Sequence, residues 1–314
     1  MDKILKDQIS EAASNYIQEM GISQARLSEI SGVKQSHLSH IMQGKYSISV
    51  SGKEVTIADK YYSSLARAIG MQLENSYWVH VDTENYKKVY IACADAKRLK
   101  ERRIIDGLSG LGKSYAAGKF AQEKPNETYL IACKDDYSPK EFIVSVAEAL
   151  SIGVDPRRMT RAQIRKEITS KMAGMRNPLL IIDEAENLKD AAWSAIKDIA
   201  DDLQAKAGMV IIGANDFKGQ ITRKARLNKR AYPQIESRFT EYDTWAELHP
   251  LDEYDIHQVC DTLGIKDKSV RSWIVKQCAG LDYRDLKRYA QKILRESAES
   301  GEQINMQFIQ ILFQ

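Results

Sequence analysis

The chain has 314 residues, of which 43% are hydrophobic and 28% charged, a balance typical of globular proteins with two or three hydrophobic cores. Its 46 lysines and arginines face 43 aspartates and glutamates, so any basic surface must be local. The four cysteines form no Cys-x-x-Cys pair, and no apolar run approaches the length of a membrane span. These features argue against structural zinc, a disulfide framework and membrane insertion, and they favour a reducing cytoplasm.

The N-terminal part of the chain predicts short helices separated by glycines. Apolar residues at helical spacing from Ile4 to Met20 predict a first helix that ends at Gly21. Ser23 is expected to cap the segment QARLSEIS, which stops at Gly32. KQSHLSHIMQG predicts the next helix, and a polar stretch, GKYSISVSGKE, separates it from an amphipathic helix in TIADKYYSSLARAIG.

From about Tyr86 the pattern changes to helices alternating with short apolar strands. The strands are RIIDG, TYLIAC, PLLIIDEAE and GMVIIGAND, and this alternation implies crossover connections and a parallel sheet. After Pro250 the chain is predicted to be helical to its end. We expect a small helical domain at residues 1–75, a linker at 76–88, an α/β core at 89–245 and a helical lid at 246–314.

The segment GLSGLGKS has the form Gly-x-x-x-x-Gly-Lys-Ser and lies between a predicted strand and a predicted helix. Its glycines let successive backbone N–H groups face a β-phosphate, and the helix N-terminus adds a positive dipole. Lys113 would reach the β- and γ-phosphates of ATP, and Ser114 would ligate Mg²⁺. The predicted nucleotide-binding residues are Gly107, Leu108, Ser109, Gly110, Leu111, Gly112, Lys113, Ser114 and Tyr115. A chance glycine-rich turn is the alternative.

An acidic pair follows a second apolar strand, in LLIIDEAENL. Asp183 and Glu184 emerge at the carboxyl end of that strand, where ligands bind in open α/β sheets. Asp183 would hold Mg²⁺, and Glu184 would orient and deprotonate the attacking water. A solvated acidic loop is the alternative reading. Asn215 ends another apolar strand and is a candidate for contacting the γ-phosphate and that water, although such residues are more often turn formers.

In this order, the three segments resemble the nucleotide motifs of the AAA+ ATPase superfamily, which implies a P-loop α/β core with a helical lid. PQIESRFT resembles the segment that carries the arginine finger, which makes Arg238 the candidate for acting on the neighbouring subunit's nucleotide. GLDYRDLKRYA resembles the lid helix with the second sensor, which indicates Arg284. A surface arginine and a structural salt bridge are the respective alternatives. Other arginines that compete for the finger role are Arg223, Arg226 and Arg230.

SQARLSEISGVKQSHLSHIMQGK resembles the helix-turn-helix of phage-repressor-like domains, with a core formed by Ala25, Leu27, Ile30, Val33, Leu38 and Ile41 and a tight turn at Gly32. The resemblance places a set of polar residues at the start and outer face of the second helix, where they would contact duplex DNA. These residues are Lys34, Gln35, Ser36, His37, Ser39 and His40. A helical protein-interaction domain with the same packing is the alternative.

A second basic segment, DPRRMTRAQIRKEITSKMAGMR, lies between two core strands. In AAA+ rings the equivalent region often faces the central channel, where cations would neutralise DNA phosphates without reading sequence. An ordinary amphipathic, solvated helix is the alternative. The candidate DNA contacts are Lys134, Arg157, Arg158, Arg161 and Arg165.

The domain order resembles the target-DNA-binding transposition ATPases of the phage Mu B type, a family related to the Tn7 regulator and to IstB-like helpers. This resemblance implies a nucleotide-gated homo-oligomer, a helical filament on largely non-specific double-stranded DNA, which recruits or stimulates a transposase and disassembles on hydrolysis. Two other functions remain open. A helicase- or initiator-loading ATPase of phage or plasmid replication would share every nucleotide motif, and a nucleotide-sensing repressor would use the helix-turn-helix mainly.

Overall fold

The structure of the protein is a computed structural model that describes residues 3–50, 53–71, 77–135, 137–239 and 245–314. The chain forms two compact units. The first combines Met1–Val81 with Glu253–Gln314, and the second is Asp82–Asp252. The linker predicted at residues 76–88 begins at a position outside the described residues.

The described residues of the N-terminal part of the first unit form four helices and one β-hairpin. They are α1 (Lys3–Met20), α2 (Gln24–Ser31), α3 (Gln35–Met42), β1 (Ser47–Val50), β2 (Lys53–Thr56) and α4 (Asp59–Ala68). The hydroxyl of Ser23 caps α2 by accepting the Arg26 N–H, and Gly32 closes the turn with a φ of 66°. The sequence predicted these helices but not the hairpin, whose antiparallel strands pair Ser47 with Thr56.

A small core holds these helices together. Leu27, Val33, Leu38 and Ile41 are fully buried in it, together with residues of α1 and α4. The predicted core position Ala25 is wrong, because its side chain is exposed. Ile30 is wrong for the same reason, since 47% of it is exposed. Helix α2, which contains both residues, has only two turns and contacts the core through Leu27, so most of its surface is exposed.

The C-terminal part of the first unit is helical, as predicted. Its elements are α12 (Glu253–Thr262), α13 (Lys268–Cys278), α14 (Tyr283–Ser300) and α15 (Met306–Leu312). Helix α14 packs against α4 of the N-terminal part. There the Arg67 guanidinium pairs with the Glu299 carboxylate at 2.6 Å. No helix in the described ranges is both long and apolar enough to cross a bilayer.

The second unit alternates helices and strands. Its elements are α5 (Glu84–Leu99), β3 (Arg102–Asp106), α6 (Lys113–Glu123), β4 (Thr128–Ala132), α7 (Pro139–Ala149), α8 (Arg161–Ala173), β5 (Leu179–Asp183), a single 3₁₀ turn (Ala185–Asn187), α9 (Trp193–Asp202), β6 (Gly208–Ile212), α10 (Phe217–Arg226), α11 (Tyr232–Phe239) and β7 (Trp245–Glu247).

The strands form one parallel sheet in the order β4-β5-β6-β3-β7. Alternate residues of each central strand enter cores on opposite faces of the sheet. Ile104 and Ile182 lie in one core with α7 to α11, whereas Ile105 and Ile181 lie in the other with α5 and α6. Because both faces are covered, the central strands β5 and β6 are buried along their whole length and almost entirely apolar, as parallel strands usually are. The predicted P-loop α/β core, N-terminal helix-turn-helix domain and C-terminal helical segment are all confirmed.

Candidate functional site

The glycine-rich segment connects the end of β3 to the start of α6. Gly110 and Gly112 have φ angles of 83° and 85°, a region that residues with a side chain rarely adopt. Helix α6 begins at Lys113 directly after Gly112. The loop therefore wraps around a helix N-terminus, where backbone N–H groups and the helix dipole favour an anion.

Lys113 lies within this loop. Its ammonium donates to the carbonyl oxygens of Gly107 at 2.6 Å and Leu108 at 2.8 Å, and only 8% of the residue is exposed. A buried cation held by loop carbonyls is positioned for a phosphate that enters the same loop. Ser114, the next residue, is exposed at the first turn of α6.

The acidic pair lies at the end of β5. Asp183 is 4% exposed, and its carboxylate accepts the Glu184 backbone N–H at 2.9 Å. Glu184 is exposed and has a left-handed backbone conformation, with φ 55° and ψ 38°. The two carboxylates therefore differ in environment: one is enclosed at the sheet edge and the other faces solvent.

Asn215 follows β6 and is exposed, with a φ of 58°. Because β6 lies between β5 and β3, the three strand ends that carry Asn215, the acidic pair and the glycine-rich loop are neighbours in the sheet. The sheet thus brings together at one edge the nucleotide residues that the sequence predicted from separate segments.

Glu186 belongs to the same edge, although the sequence analysis did not select it. Its carboxylate accepts N–H bonds from its own backbone and from Ala214, and burial raises its pKa, whereas the nearby Lys113 ammonium lowers it. Its Oε2 atom is buried and has no hydrogen-bond partner among the described residues. Glu186 therefore connects the turn after β5 to the strand end that precedes Asn215.

Asp106, the last residue of β3, is a second functional position that the sequence analysis missed. Its Oδ1 accepts the N–H of Gly107 at 2.7 Å and of Phe217 at 3.3 Å, and its Oδ2 accepts the Lys218 N–H at 3.0 Å. It thereby caps α10 from another strand and joins the glycine-rich loop to the segment after Asn215. In the sequence, this role was indicated only by the position of the carboxylate at the end of a strand, directly before the glycine-rich loop.

We expect Asp106→Ala to destabilise the protein by about 1–3 kcal/mol, because backbone N–H groups lose their acceptor. Urea unfolding, followed by circular dichroism, measures this change. Asp135→Ala is the matched control, since Asp135 is exposed. Equal unfolding midpoints for the two variants would contradict the capping role.

Arg238, at the end of α11, is held within its own chain. Its guanidinium donates through Nε and Nη2 to the Asp201 carboxylate on α9, at 2.5 and 3.1 Å. Among the competing arginines, Arg223, Arg226 and Arg230 are exposed. The finger assignment to Arg238 stays a prediction, and the ion pair with Asp201 is the contact that such a role would have to break.

Arg284 lies in the first turn of α14, in the first unit. It lines a cavity of about 690 Å³ between α4 and α14 that also contains Arg67, Arg288 and Arg295. The cavity is basic, and Tyr77 on its wall shares a 2.9 Å hydrogen bond with the Ser63 hydroxyl. A role for Arg284 as a nucleotide sensor stays a prediction.

The predicted DNA-contacting residues of the helix-turn-helix lie together on α3 and at the residue before it. Lys34, Gln35 and Ser36 are exposed, and His37, Ser39 and His40 are partly exposed. His40 Nδ1 lies 2.8 Å from the Ser36 carbonyl oxygen, which fixes the imidazole along the helix. Burial, followed by the charges of Lys34 and His40, lowers the pKa of His37. The His37 ring packs on Tyr61 with ring centroids 4.4 Å apart.

The basic segment divides into two groups. Arg157, Arg158 and Arg161 are exposed, as is Lys134, which lies outside this segment and follows β4. Arg165 instead pairs with Asp198 at 2.8 Å and Asp202 at 3.1 Å on α9. The charge of Arg165 is therefore balanced within the chain, and the exposed arginines at and before the start of α8 are better placed for a nucleic acid.

The sheet edge also fits the metal that the motif implies. A serine hydroxyl and an aspartate carboxylate, Ser114 and Asp183, are the hard oxygen ligands that Mg²⁺ prefers alongside phosphate oxygens and water. The Asp183 carboxylate accepts the Glu184 N–H at its Oδ1. The donor set is thus compatible with one divalent ion that binds together with a nucleotide.

Two protein-family models match this chain, one in the α/β unit and one in the N-terminal helices. Residues 99–221 match the AAA domain family, and residues 15–51 match the helix-turn-helix family. These ranges contain the glycine-rich loop, the acidic pair and Asn215 in the first case, and α2 and α3 in the second.

The chain is similar to the Mu-like prophage FluMu DNA transposition protein B of Haemophilus influenzae, with 24% identity over 198 residues, 63% of this chain and 66% of that protein. Two solved structures share the fold. Cdc6p from Pyrobaculum aerophilum is 18% identical with a TM-score of 0.50, covering 72% of this chain and 65% of its own. The ORC2 protein of Aeropyrum pernix is 9% identical with a TM-score of 0.51, covering 73% and 66%.

The chain thus spans slightly less than two thirds of the length of each of these relatives. The two archaeal structures establish the fold alone at these identities, whereas the transposition protein matches in sequence. Residues 99–221 thus match an AAA domain, residues 15–51 match a helix-turn-helix, and the chain is similar in sequence to a Mu-like prophage transposition protein B.

Proposed function

We propose that this protein is an ATP-dependent DNA-binding regulator of transposition, which assembles on duplex DNA as a homo-oligomer, recruits or stimulates a transposase, and disassembles when ATP is hydrolysed. The observation that carries the proposal is the 198-residue match to a DNA transposition protein B. The glycine-rich loop, Asp183, Glu184 and Asn215 at one sheet edge and the helix-turn-helix support it.

In this proposal, the residues at the carboxyl edge of the sheet bind and hydrolyse ATP. The glycine-rich loop binds the β-phosphate through backbone N–H groups, and Lys113 moves its hydrogen bonds from loop carbonyls to phosphate oxygens. Ser114 and Asp183 would hold Mg²⁺, and the bound ion would supply neutralisation of the phosphate charge. Glu184 accepts a proton from the attacking water, and Asn215 orients that water.

DNA binding has two parts in this proposal. Lys34 and the polar face of α3 contact one duplex through the helix-turn-helix. Arg157, Arg158 and Arg161 contact the phosphate backbone in an assembly, without reading sequence. Since the chain has a formal net charge of only +3, affinity depends on these local groups rather than on overall charge.

Electron microscopy with random-sequence duplex DNA tests the assembly directly. Ordered assemblies are expected with ATP and not with ADP. In the proposal ATP binds the assembled state more tightly than the free protein, and this difference depends on the γ-phosphate. Equal assembly with both nucleotides would contradict the proposal. Tight binding of a dimer to one palindromic site would instead identify a repressor, and capture of a replicative helicase would identify a loader.

We expect Arg158→Ala to weaken binding to random duplex DNA and to lower the slope of log K against log salt by about 0.9, the value for one phosphate contact. Arg158 is 88% exposed, and its guanidinium lies 3.5 Å from Asp155. Arg165→Ala is the matched control from the same segment, because Arg165 is paired with α9. Fluorescence anisotropy at several salt concentrations measures both slopes. Equal changes in the two slopes would contradict this assignment of the DNA contacts.

A further inference from the structure

The segment around the connection between α10 and α11 carries a positive charge that is not part of the DNA contacts proposed above. Residues 217–235 contain six cations and no aspartate or glutamate. The cations are Lys218, Arg223, Lys224, Arg226, Lys229 and Arg230. Lys224 is paired with the Asp190 carboxylate at 2.7 Å. Residues 226–230, here called the basic loop, are all exposed, so the loop presents its cations to solvent.

The basic loop has a fixed backbone. The Asn228 N–H donates to the Ala225 carbonyl oxygen at 2.8 Å. The Lys229 N–H donates to the Lys224 carbonyl oxygen at 3.0 Å. These two hydrogen bonds, together with a left-handed φ of 49° at Asn228, end α10 in a Schellman motif. The shape of the loop is therefore set before any ligand binds.

A partly buried polar contact holds both flanks of the basic loop. Tyr232, the first residue of α11, is 1% exposed, and its hydroxyl donates to the Asp190 carboxylate at 2.8 Å. The Lys224 ammonium on α10 donates to the same carboxylate oxygen at 2.7 Å and to the Tyr232 hydroxyl at 2.9 Å. The Tyr232 ring also packs on Trp193, with ring centroids 5.3 Å apart. Both helices that border the loop are thus tied to one carboxylate, which fixes the loop on the second unit.

Leu227 is the apolar residue of the basic loop. It is 64% exposed, and the other loop residues are three cations and one asparagine. A single exposed leucine is common on protein surfaces and by itself indicates nothing. Proteins that bind the minor groove of DNA, however, combine arginine, lysine and asparagine contacts with an apolar side chain, often leucine, that enters between two base pairs. The composition of the basic loop matches this mode of binding.

We propose that the basic loop is a contact that deforms DNA. Leu227 enters the minor groove and opens a base step, while Lys229 and Arg230 bind the phosphates beside it. This inference rests on the proposed function, because it requires that the protein binds duplex DNA. A loop of fixed shape favours such a wedge, since little conformational freedom is lost when it is inserted.

Fluorescence of random-sequence duplexes that contain 2-aminopurine tests the wedge, because this base analogue fluoresces more strongly when it is unstacked. Binding of the full chain with ATP and Mg²⁺ is expected to raise the fluorescence. Leu227→Ala should lose most of this rise, whereas Leu227→Met, which keeps an apolar side chain of similar size, should retain it. Because Leu227 is exposed, neither substitution removes a buried contact.

Lys229→Ala tests the phosphate contact separately. It is expected to lower the slope of log K against log salt by about 0.9, the value for one phosphate, whereas Leu227→Ala should leave that slope unchanged. Fluorescence anisotropy at several salt concentrations measures both slopes. Lys229 is exposed and is not a candidate for the arginine finger, so its removal leaves the proposed nucleotide residues intact.

Ile91→Ala and Lys87→Ala on α5 are the matched controls, since Ile91 is 57% exposed and Lys87 is exposed. Both should behave as the unaltered protein does. A rise in fluorescence that persists in Leu227→Ala, or an unchanged slope in Lys229→Ala, would overturn this inference but not the proposed function, and would leave the basic loop available to an acidic protein surface. If the unaltered protein did not bind the duplex at all, the proposed function itself would be wrong, and the wedge with it.

Discussion

Glu184→Gln is expected to lower the rate of ATP hydrolysis by roughly 10²- to 10⁴-fold, the usual contribution of a general base. ATP binding should persist, because the loop, Lys113 and Asp183 are unchanged. DNA-bound assemblies should therefore last longer in the variant than in the parent protein. Phosphate release measures hydrolysis, and dissociation from DNA after dilution into ADP measures the lifetime of the assembly.

Two further glutamates make this result specific. Glu148→Gln on α7 is the control, since Glu148 is exposed and lies outside the sheet edge. Glu186→Gln distinguishes the two acidic residues of the edge, because Glu186 accepts the Ala214 N–H whereas Glu184 faces solvent. A larger loss of hydrolysis in Glu186→Gln than in Glu184→Gln would reverse the assignment of the general base.

Arg238→Ala is expected to reduce hydrolysis by about 10³-fold or more in assemblies on DNA, the effect typical of an arginine finger. The proposed finger acts on the nucleotide of the adjacent subunit. Mixing Arg238→Ala with Glu184→Gln should therefore restore part of the activity. At some interfaces one variant then supplies the arginine and the other supplies the glutamate. Phosphate release from a titration of the two proteins measures the recovery.

This mixing experiment separates a finger from a structural arginine. Arg238→Ala also removes the ion pair with Asp201, and a purely structural loss would not be rescued by a second variant. Arg226→Ala and Arg223→Ala are the comparison variants, because both arginines are exposed on the preceding helix. Rescue that appears with one of them but not with Arg238→Ala would move the finger to that residue.

The local patterns of the sequence were sufficient for most of the α/β unit. Each of the four predicted strands contains a run of apolar residues followed by glycine or polar residues, and the chemistry-bearing groups follow three of those runs directly. Since all the strands are parallel, their carboxyl ends meet at one edge without further information. The placement of Lys113, Asp183, Glu184 and Asn215 around one edge was therefore predictable.

The features that were missed depend on contacts between distant segments. Asp106 acquires its role from the N–H groups of residues 217 and 218, and Glu186 acquires its role from Ala214. The strands of the β1–β2 hairpin are only four residues long, so the alternation in SISV is too short to predict a strand, and KEVT has none. The resemblance to a helix-turn-helix placed Ile30 in the core, but the two-turn helix α2 buries only one narrow face.

Pairing within the chain also changes how charged residues are interpreted. A run of arginines in the sequence gives no indication of which are neutralised by a neighbouring helix. Helix α9 supplies Asp198 and Asp202 to Arg165 and Asp201 to Arg238. The candidates that stay exposed, such as Arg158, are identified only once these pairs are known.

The packing of α14 against α4 bears on how this protein can be divided and recombined. The two ends of the polypeptide belong to one compact unit, and Asp82–Asp252 is inserted between them. The helix-turn-helix is thus not a detachable N-terminal module. A chimera that exchanges it alone would leave α14 facing a foreign surface, whereas one that replaces Asp82–Asp252 as a cassette would keep α14 packed against α4.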